Sequence, residues 1–333
     1  MPRSPHRAGR IALTALVTLA AAGLAVQQVG PDTAGALQLL RGSGVDAVRT
    51  VAAAVLSAAS LLVYGELHRR LLVVAGADLP GRTVQAVTVA GNAVSLTVPT
   101  VGTAAGPAYA VRALCRRGVP TAAAVWSVGA AAVVTSVVLV VLAPLGIAAG
   151  GLLPVAAGIG ASTLLAVLAV GVAALLRPRG GPHPVGPTRT GTLGGRARDL
   201  VARSSVWAAA HRPSPRTTAV LLVLAALTWV LDLACLAACV GATRAPFTAG
   251  AVAVGYLAVQ ASIAIRLTPG GAGLAEAGLL AALVTAGTPA GAAAVAVALY
   301  RGISWLVPAA VGWVVVLLLT ARGVPGADSG TRR

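Results

Sequence analysis

Apolar runs of about 20 residues alternate with short polar gaps along most of this sequence. A run of that length matches a hydrocarbon core about 30 Å thick, which an α-helix crosses with all its backbone hydrogen bonds made internally. The pattern therefore predicts an all-α polytopic membrane protein, with a single transmembrane domain over residues 1–333. We expect about six full spans, near 11–29, 47–64, 121–143, 152–176, 218–241 and 290–320.

The first apolar run follows three arginines and allows two interpretations. A cleaved signal peptide has this charge pattern, but it normally ends in a small-x-small cleavage site. No clear site of that kind ends the run at 11–29, and many further spans follow it. We therefore interpret it as a retained first helix.

Composition and charge support the membrane interpretation. The chain is 57% hydrophobic and 10% charged, whereas a soluble domain carries about 25% charged residues. All 25 basic residues are arginine, and the net charge is +17. Because the arginines lie mainly between the apolar runs, we interpret them as contacts for anionic phospholipid headgroups and not for nucleic acid. The lack of lysine excludes a Walker A phosphate loop and Schiff-base catalysis.

The cysteines and histidines suggest neither a metal site nor a cofactor. Cys235 and Cys239 lie one helical turn apart in an apolar run, and we interpret them, with Cys115, as small buried side chains. All the histidines fall in predicted polar gaps, so none is expected inside a span; they are His6, His68, His183 and His211. We predict no metal and no cofactor.

The arginine distribution predicts the orientation in the cell membrane. The longest polar stretch, 177–217, holds eight arginines against one aspartate, a net charge of +7. Such a segment is hard to translocate, so this basic loop and both termini, including the tail at 321–333, are expected on the cytoplasmic side. The second half of the loop is either a basic amphipathic helix lying on the membrane or a solvated charged segment.

Two apolar segments are interrupted by proline and glycine in matching ways. The first break begins at Pro99 in PTVGTAAGP, and the second begins at Pro269 in TPGGAG. Each is followed by an apolar returning arm. The predicted orientation makes one hairpin enter from the inside and the other from the outside, so we predict two broken or re-entrant hairpins related as an inverted repeat, which is typical of transporters. The simpler alternative is that proline and glycine only kink two ordinary spans.

The residues around the breaks resemble the lysylphosphatidylglycerol synthase transmembrane region family, a flippase-like membrane domain. The strongest similarity lies in PGGAGLAEAG and in YRGISWLVP, and its residues are Pro269, Gly270, Gly271, Gly273, Glu276, Tyr300, Arg301, Trp305 and Pro308. The first break resembles the family at Asn92, Pro99, Gly102, Tyr109, Arg112 and Gly118. The segment WVLDLACLAACVG resembles a further family segment at Trp229 and Asp232.

This resemblance implies the membrane part of such proteins without the soluble aminoacyl-transfer domain. That part is expected to move a phospholipid or a lipid-linked headgroup between leaflets. The candidate substrate-binding residues are Asn92, Pro99, Gly102, Tyr109, Arg112, Asp232, Arg266, Pro269, Gly270, Gly271, Gly273, Glu276, Tyr300, Arg301 and Trp305.

Two other functions stay open on the sequence alone. The first is a non-transporting partner that anchors or regulates an envelope- or lipid-synthesis enzyme. The second is a membrane enzyme, for which the only plausible charged groups at depth are Asp232, Glu276, Arg266 and Arg301. These form no visible nucleophile–base pair and no metal cluster, so we expect the chain not to be an enzyme.

The sequence also predicts one ion pair inside the membrane. Glu276 lies just past the second break, and Arg301 lies about 15 Å along the final helix at 1.5 Å per residue. Both therefore reach a similar depth from the same side. Because an unpaired charge at the bilayer centre costs about 2.5–3.5 kcal/mol on insertion scales, we expect these side chains to interact.

Overall fold

The structure, a computed structural model, describes residues 44–97, 102–175, 213–265 and 269–321. These ranges are helical apart from short connections, as the apolar runs predict. The helices are α1 (Ala47–Val74), α2 (Gly81–Thr97), α3 (Gly102–Cys115), α4 (Thr121–Ala149), α5 (Val155–Leu175), α6 (Pro215–Ala242), α7 (Ala249–Ile265), α8 (Leu274–Thr285), α9 (Ala290–Arg301) and α10 (Val307–Ala321). The predicted helix at 11–29, most of the 177–217 loop, the tail beyond Ala321, and the candidates Pro99 and Arg266 lie outside the described residues.

Among the described residues, four helices are long and apolar enough to cross a membrane. Helices α1, α4 and α6 have 28, 29 and 28 residues, and the continuous helix from Ala290 to Ala321 has 32. At 1.5 Å per residue, 28 residues extend about 42 Å, which exceeds a hydrocarbon core of about 30 Å. Large apolar side chains are exposed along these helices, and Val51, Val133 and Val223 are each more than 60% exposed. Such surfaces suit contact with lipid and not with water.

The two broken segments fold as pairs of short helices. Helices α2 and α3 pack against each other, and so do α7 and α8. Helix α8 has 12 residues, which corresponds to about 18 Å and is too short for an ordinary span. The second break is therefore confirmed, whereas the first break, at residues 98–101, lies outside the described residues. The inverted relationship between the two hairpins stays a prediction.

Helix α1 corrects the predicted gap that begins at residue 65. The helix continues to Val74, because Glu66 pairs with Arg69 at 2.7 Å and with Arg70 at 2.8 Å. Charges spaced three and four residues apart stabilise a helix instead of ending it. His68 consequently lies inside a long, apolar helix and is buried. His68 therefore lies in a helix and not in the polar gap that was predicted to begin at residue 65.

The start of helix α6 also differs from the prediction, which extended the polar loop to residue 217. The helix begins at Pro215, because the Ser214 hydroxyl accepts a hydrogen bond of 3.1 Å from the Thr217 amide. Serine before a proline at the first helical position is a favoured helix start. The last residues of the predicted loop therefore form the first turn of this helix.

Close packing of small residues holds the helices together. Helix α1 packs along α6, and α4 packs against α7. A Cβ added to Gly250 would lie 2.3 Å from the Ala149 carbonyl oxygen, so the α4 and α7 backbones approach as closely as small residues allow. Cys235 and Cys239 are buried in the apolar core, as predicted, whereas Cys115 is only partly buried.

The final helix is interrupted by a wider turn that the sequence pattern does not predict. Residues Gly302–Leu306 form a π-helical turn between α9 and α10. A π turn inserts one extra residue and often lies at a functional position. Here it follows Arg301 directly and contains Trp305.

Candidate functional site

The second break is a tight turn of three glycines in conformations that favour glycine. The φ angles of Gly270, Gly271 and Gly273 are 58°, 73° and 86°. Side chains with a Cβ rarely adopt these conformations. A Cβ on Gly270 would also lie 2.6 Å from the indole nitrogen of Trp305. The break therefore depends on glycine both for its backbone conformation and for space.

Glu276 joins the break to the returning helix α8. It lies in the first turn of α8, where its Oε2 atom accepts a hydrogen bond of 2.6 Å from the Gly273 amide. A carboxylate at this position satisfies one of the free amides of a helix N-terminus and interacts favourably with the helix dipole. One oxygen of Glu276 is thus engaged in shaping the break.

Arg301 pairs with the other oxygen of Glu276, which confirms the predicted ion pair. Its Nε donates to Glu276 Oε1 at 2.5 Å, and its Nη2 donates to the Gly270 carbonyl at 2.8 Å. The guanidinium also stacks 4.6 Å from the centre of the Trp305 ring. The Arg301 side chain is 8% exposed and that of Glu276 is 32% exposed. The cation is therefore enclosed, while its carboxylate partner stays partly open.

Trp305 connects this cluster to the first hairpin. Its indole nitrogen donates to the Leu96 carbonyl at 3.2 Å. About two helical turns beyond the π segment, the Trp313 indole donates to the Thr97 hydroxyl at 3.0 Å. The final helix thus binds the end of α2 as well as the second break.

A second polar cluster surrounds Asp232 on helix α6. Its Oδ2 accepts hydrogen bonds from the Tyr256 hydroxyl at 2.9 Å, the Tyr300 hydroxyl at 3.3 Å and the Gln260 amide at 3.4 Å. Tyr256 and Gln260 were not among the predicted site residues. The sequence signal that could have identified them is their spacing, because Tyr256 and Gln260 lie four residues apart, on one face of the otherwise apolar α7. A buried tyrosine hydroxyl usually needs a hydrogen-bond partner.

The family model for the lysylphosphatidylglycerol synthase transmembrane region matches residues 9–312. The chain belongs to this family. The resemblance inferred from the two breaks is thereby confirmed, and the chain is a membrane protein of lipid metabolism or transport. No curated protein matches the sequence.

The residues that resemble this family do not all meet at one point. Tyr300 and Arg301 are neighbours in α9, yet Tyr300 contacts Asp232 while Arg301 contacts Glu276. The two clusters are therefore linked by two consecutive residues of α9. Pro269 begins the turn at the break.

The candidates of the first hairpin lie apart from both clusters. Asn92 lines a separate cavity, and Gly102 is the first residue of α3. The buried hydroxyl of Tyr109 has no hydrogen-bond partner among the described residues. Arg112 is exposed in the last turn of α3. The structure thus groups the candidates of the second hairpin and the final helix, and leaves those of the first hairpin dispersed.

Proposed function

We propose that this protein is flippase-like and moves a phospholipid or a lipid-linked headgroup between the leaflets of the cell membrane. The observation that carries the proposal is the Glu276–Arg301 pair at the glycine break. It places an enclosed cation, a partly open carboxylate and an irregular backbone at one point. Broken helices that expose backbone groups near charged residues are typical substrate sites of transporters.

The cluster provides a way to accept an anionic headgroup. Arg301 is held by the Glu276 carboxylate and the Gly270 carbonyl. A lipid phosphate that reaches Arg301 would replace one anionic partner by another, so the buried guanidinium would stay paired throughout. Because Glu276 is the more exposed partner, it is the group expected to move aside.

Arginines at the end of helix α3 favour the approach of such headgroups. Arg112 and Arg116 are exposed, and the predicted orientation places them on the cytoplasmic side. Basic residues near that surface attract anionic lipids by about 1 kcal/mol each. They would raise the local concentration of headgroups without selecting one lipid.

Leaflet exchange in proteoliposomes tests the proposal. Purified protein would be reconstituted with a fluorescent phosphatidylglycerol, and the outer leaflet would be bleached with dithionite to follow the exchange. Wild type is expected to exchange the probe faster than protein-free liposomes. Glu276→Gln is expected to slow exchange about tenfold, because the departing headgroup would leave Arg301 without its carboxylate partner, and loss of a charge-assisted hydrogen bond corresponds to about 1.5 kcal/mol or more.

Glu66→Gln is the matched control. It makes the same change in another Glu–Arg pair, on helix α1 and outside the cluster, and is expected to stay within about twofold of wild type. Wild-type exchange no faster than in protein-free liposomes would overturn the proposal. Equal loss in both variants would show that the cluster has no specific part in transport.

A further inference from the structure

A cavity of about 90 Å³ lies among helices α1 to α4, away from the Glu276–Arg301 cluster. Its polar lining comes from two helices, with Tyr64 and His68 on α1 and Thr88, Asn92 and Ser95 on α2. The α2 residues are spaced four and three apart, which places them on one helix face. We call this site the α1–α2 cavity.

His68 has one ring nitrogen that nothing in the described residues satisfies. The residue is 4% exposed, and its Nδ1 atom lies 3.0 Å from the Thr88 hydroxyl oxygen. Its Nε2 atom is buried and has no hydrogen-bond partner. An unpaired buried polar group is costly, and most such groups in proteins are satisfied. Because His68 lines the cavity, a bound group there is the natural partner of Nε2.

Two neighbouring side chains on α2 also lack partners. Asn92 and Ser95 line the same cavity and are half-buried, and neither side chain forms a hydrogen bond with another described residue. Asn92 both donates and accepts through its amide, and the Ser95 hydroxyl does the same. Together with His68, they present unused donors and acceptors from two helices to one space.

Small residues keep this space open. A Cβ on Gly106 would lie 1.8 Å from the Ser95 Oγ atom, and a Cβ on Gly91 would lie 3.3 Å from the Gly106 carbonyl oxygen. The remaining wall is apolar, with Pro107, Ala110 and Val128 among its residues. The cavity thus has one hydrogen-bonding wall and one apolar wall. These two walls match the hydroxyl groups and the C–H groups of a sugar or glycerol.

We propose that the α1–α2 cavity binds a neutral, hydroxyl-rich group such as a sugar, either free or carried on a lipid headgroup. No Asp, Glu or Arg lines it within the described residues, so a phosphate or an amine would be buried without a counter-charge. Hydroxyls both donate and accept, which matches the unused groups of His68, Asn92 and Ser95. At about 10–15 Å³ per water-sized position, the volume of about 90 Å³ holds roughly six to nine such positions, which suits glycerol or one edge of a sugar ring and not a whole lipid.

Direct binding tests this site independently of lipid transport. The full-length protein would be placed in phosphatidylcholine nanodiscs. Binding of tritiated galactose and of galactosyl diacylglycerol would be measured, with phosphatidic acid as a charged lipid whose headgroup has no alcohol hydroxyls. Binding of both galactose probes, or of the lipid-borne one alone, supports the site, and the difference identifies whether the lipid anchor is required.

Variants assign the binding to the cavity. Asn92→Leu is expected to weaken galactosyl lipid binding about tenfold, because it leaves sugar hydroxyls without a partner. Ser95→Ala is expected to weaken it about threefold by the same argument. Ser127→Ala is the matched control, since Ser127 is buried and donates to the Ala124 carbonyl of its own helix; it is expected to bind like wild type.

Three results would overturn the proposal. The first is no binding of either galactose probe. The second is phosphatidic acid binding as tightly as the galactosyl lipid, which would indicate recognition of charge. The third is equal binding by Ser95→Ala, Ser127→Ala and Asn92→Leu in samples that elute as folded protein on size-exclusion chromatography.

Discussion

The indole nitrogen of Trp305 lies 3.2 Å from the carbonyl oxygen of Leu96, 209 residues earlier in the chain. The same ring stacks against Arg301 and occupies the space that a Cβ on Gly270 would need. One side chain therefore joins the end of α2, the second break and the final helix. Substitutions at Gly270 or at Trp305 are therefore expected to affect the stability of the glycine break.

Gly270→Ala is expected to destabilise the protein by more than about 2 kcal/mol. The positive φ of Gly270 alone costs about 1–2 kcal/mol for a residue with a Cβ, and the overlap with Trp305 adds to it. Trp305→Phe removes the overlapping nitrogen, so the double variant is expected to lose less than the sum of the two single losses. Thermal unfolding of the purified variants in detergent measures both effects.

Gly273→Ala is the control for this comparison. A Cβ there meets nothing within 4 Å, so only backbone strain is added and Trp305→Phe is expected to bring no relief. Strictly additive losses for Gly270→Ala and Trp305→Phe would contradict the steric explanation.

Exchanging the charges of Glu276 and Arg301 is expected not to restore stability. Arg301→Ala alone is expected to cost about 1–3 kcal/mol, because it leaves the Gly270 carbonyl and the Glu276 carboxylate with fewer partners. In the exchanged protein a glutamate at position 301 does not donate to Gly270, and an arginine at position 276 does not accept from Gly273. Folded yield and the unfolding temperature check this. Full recovery in the exchanged protein would mean that only opposite charge matters.

Thr97→Val is expected to destabilise the protein by about 1–3 kcal/mol. The Thr97 hydroxyl accepts from the buried Trp313 indole at 3.0 Å, and its loss leaves that donor unpaired. Thr285→Val makes the same change at an exposed hydroxyl bonded only within its own helix, so its effect is expected to stay within about 0.5 kcal/mol. Similar unfolding temperatures for the two variants would refute the role given to the Trp313 contact.

Cysteines at the two ends of α6 test the predicted orientation. Ser214 lies before the helix and Arg244 lies beyond it, and both are exposed. With Cys115 replaced by serine, Ser214→Cys is expected to be shielded from an impermeant maleimide in intact cells, and Arg244→Cys is expected to react. The remaining Cys235 and Cys239 are buried. The reverse labelling pattern would invert the topology and remove the support for a cytoplasmic basic loop.

The sequence alone was sufficient to predict the positions of most of the described helices and one ion pair. The returning arm predicted after the second break is observed as α8, Leu274–Thr285, and the pairing of Glu276 with Arg301 is confirmed. Both follow from local rules, because glycine and proline interrupt a helix and a charge at depth needs a partner. The error at His68 arose because Glu66 and its arginines were treated as a helix end, whereas their spacing supports the helix.

What the sequence determined by itself was the set of helices, since in lipid each backbone must satisfy its hydrogen bonds within its own segment. Only the tertiary structure decided which side chains meet. The contacts of Asp232 with Tyr256, and of Trp305 with Leu96, join residues far apart in the chain. They depend on the rotation of each helix about its axis and on how closely small residues let backbones approach. Neither quantity is encoded in an apolar run, so the tyrosine partners of Asp232 and the α1–α2 cavity emerge only from the packed helices.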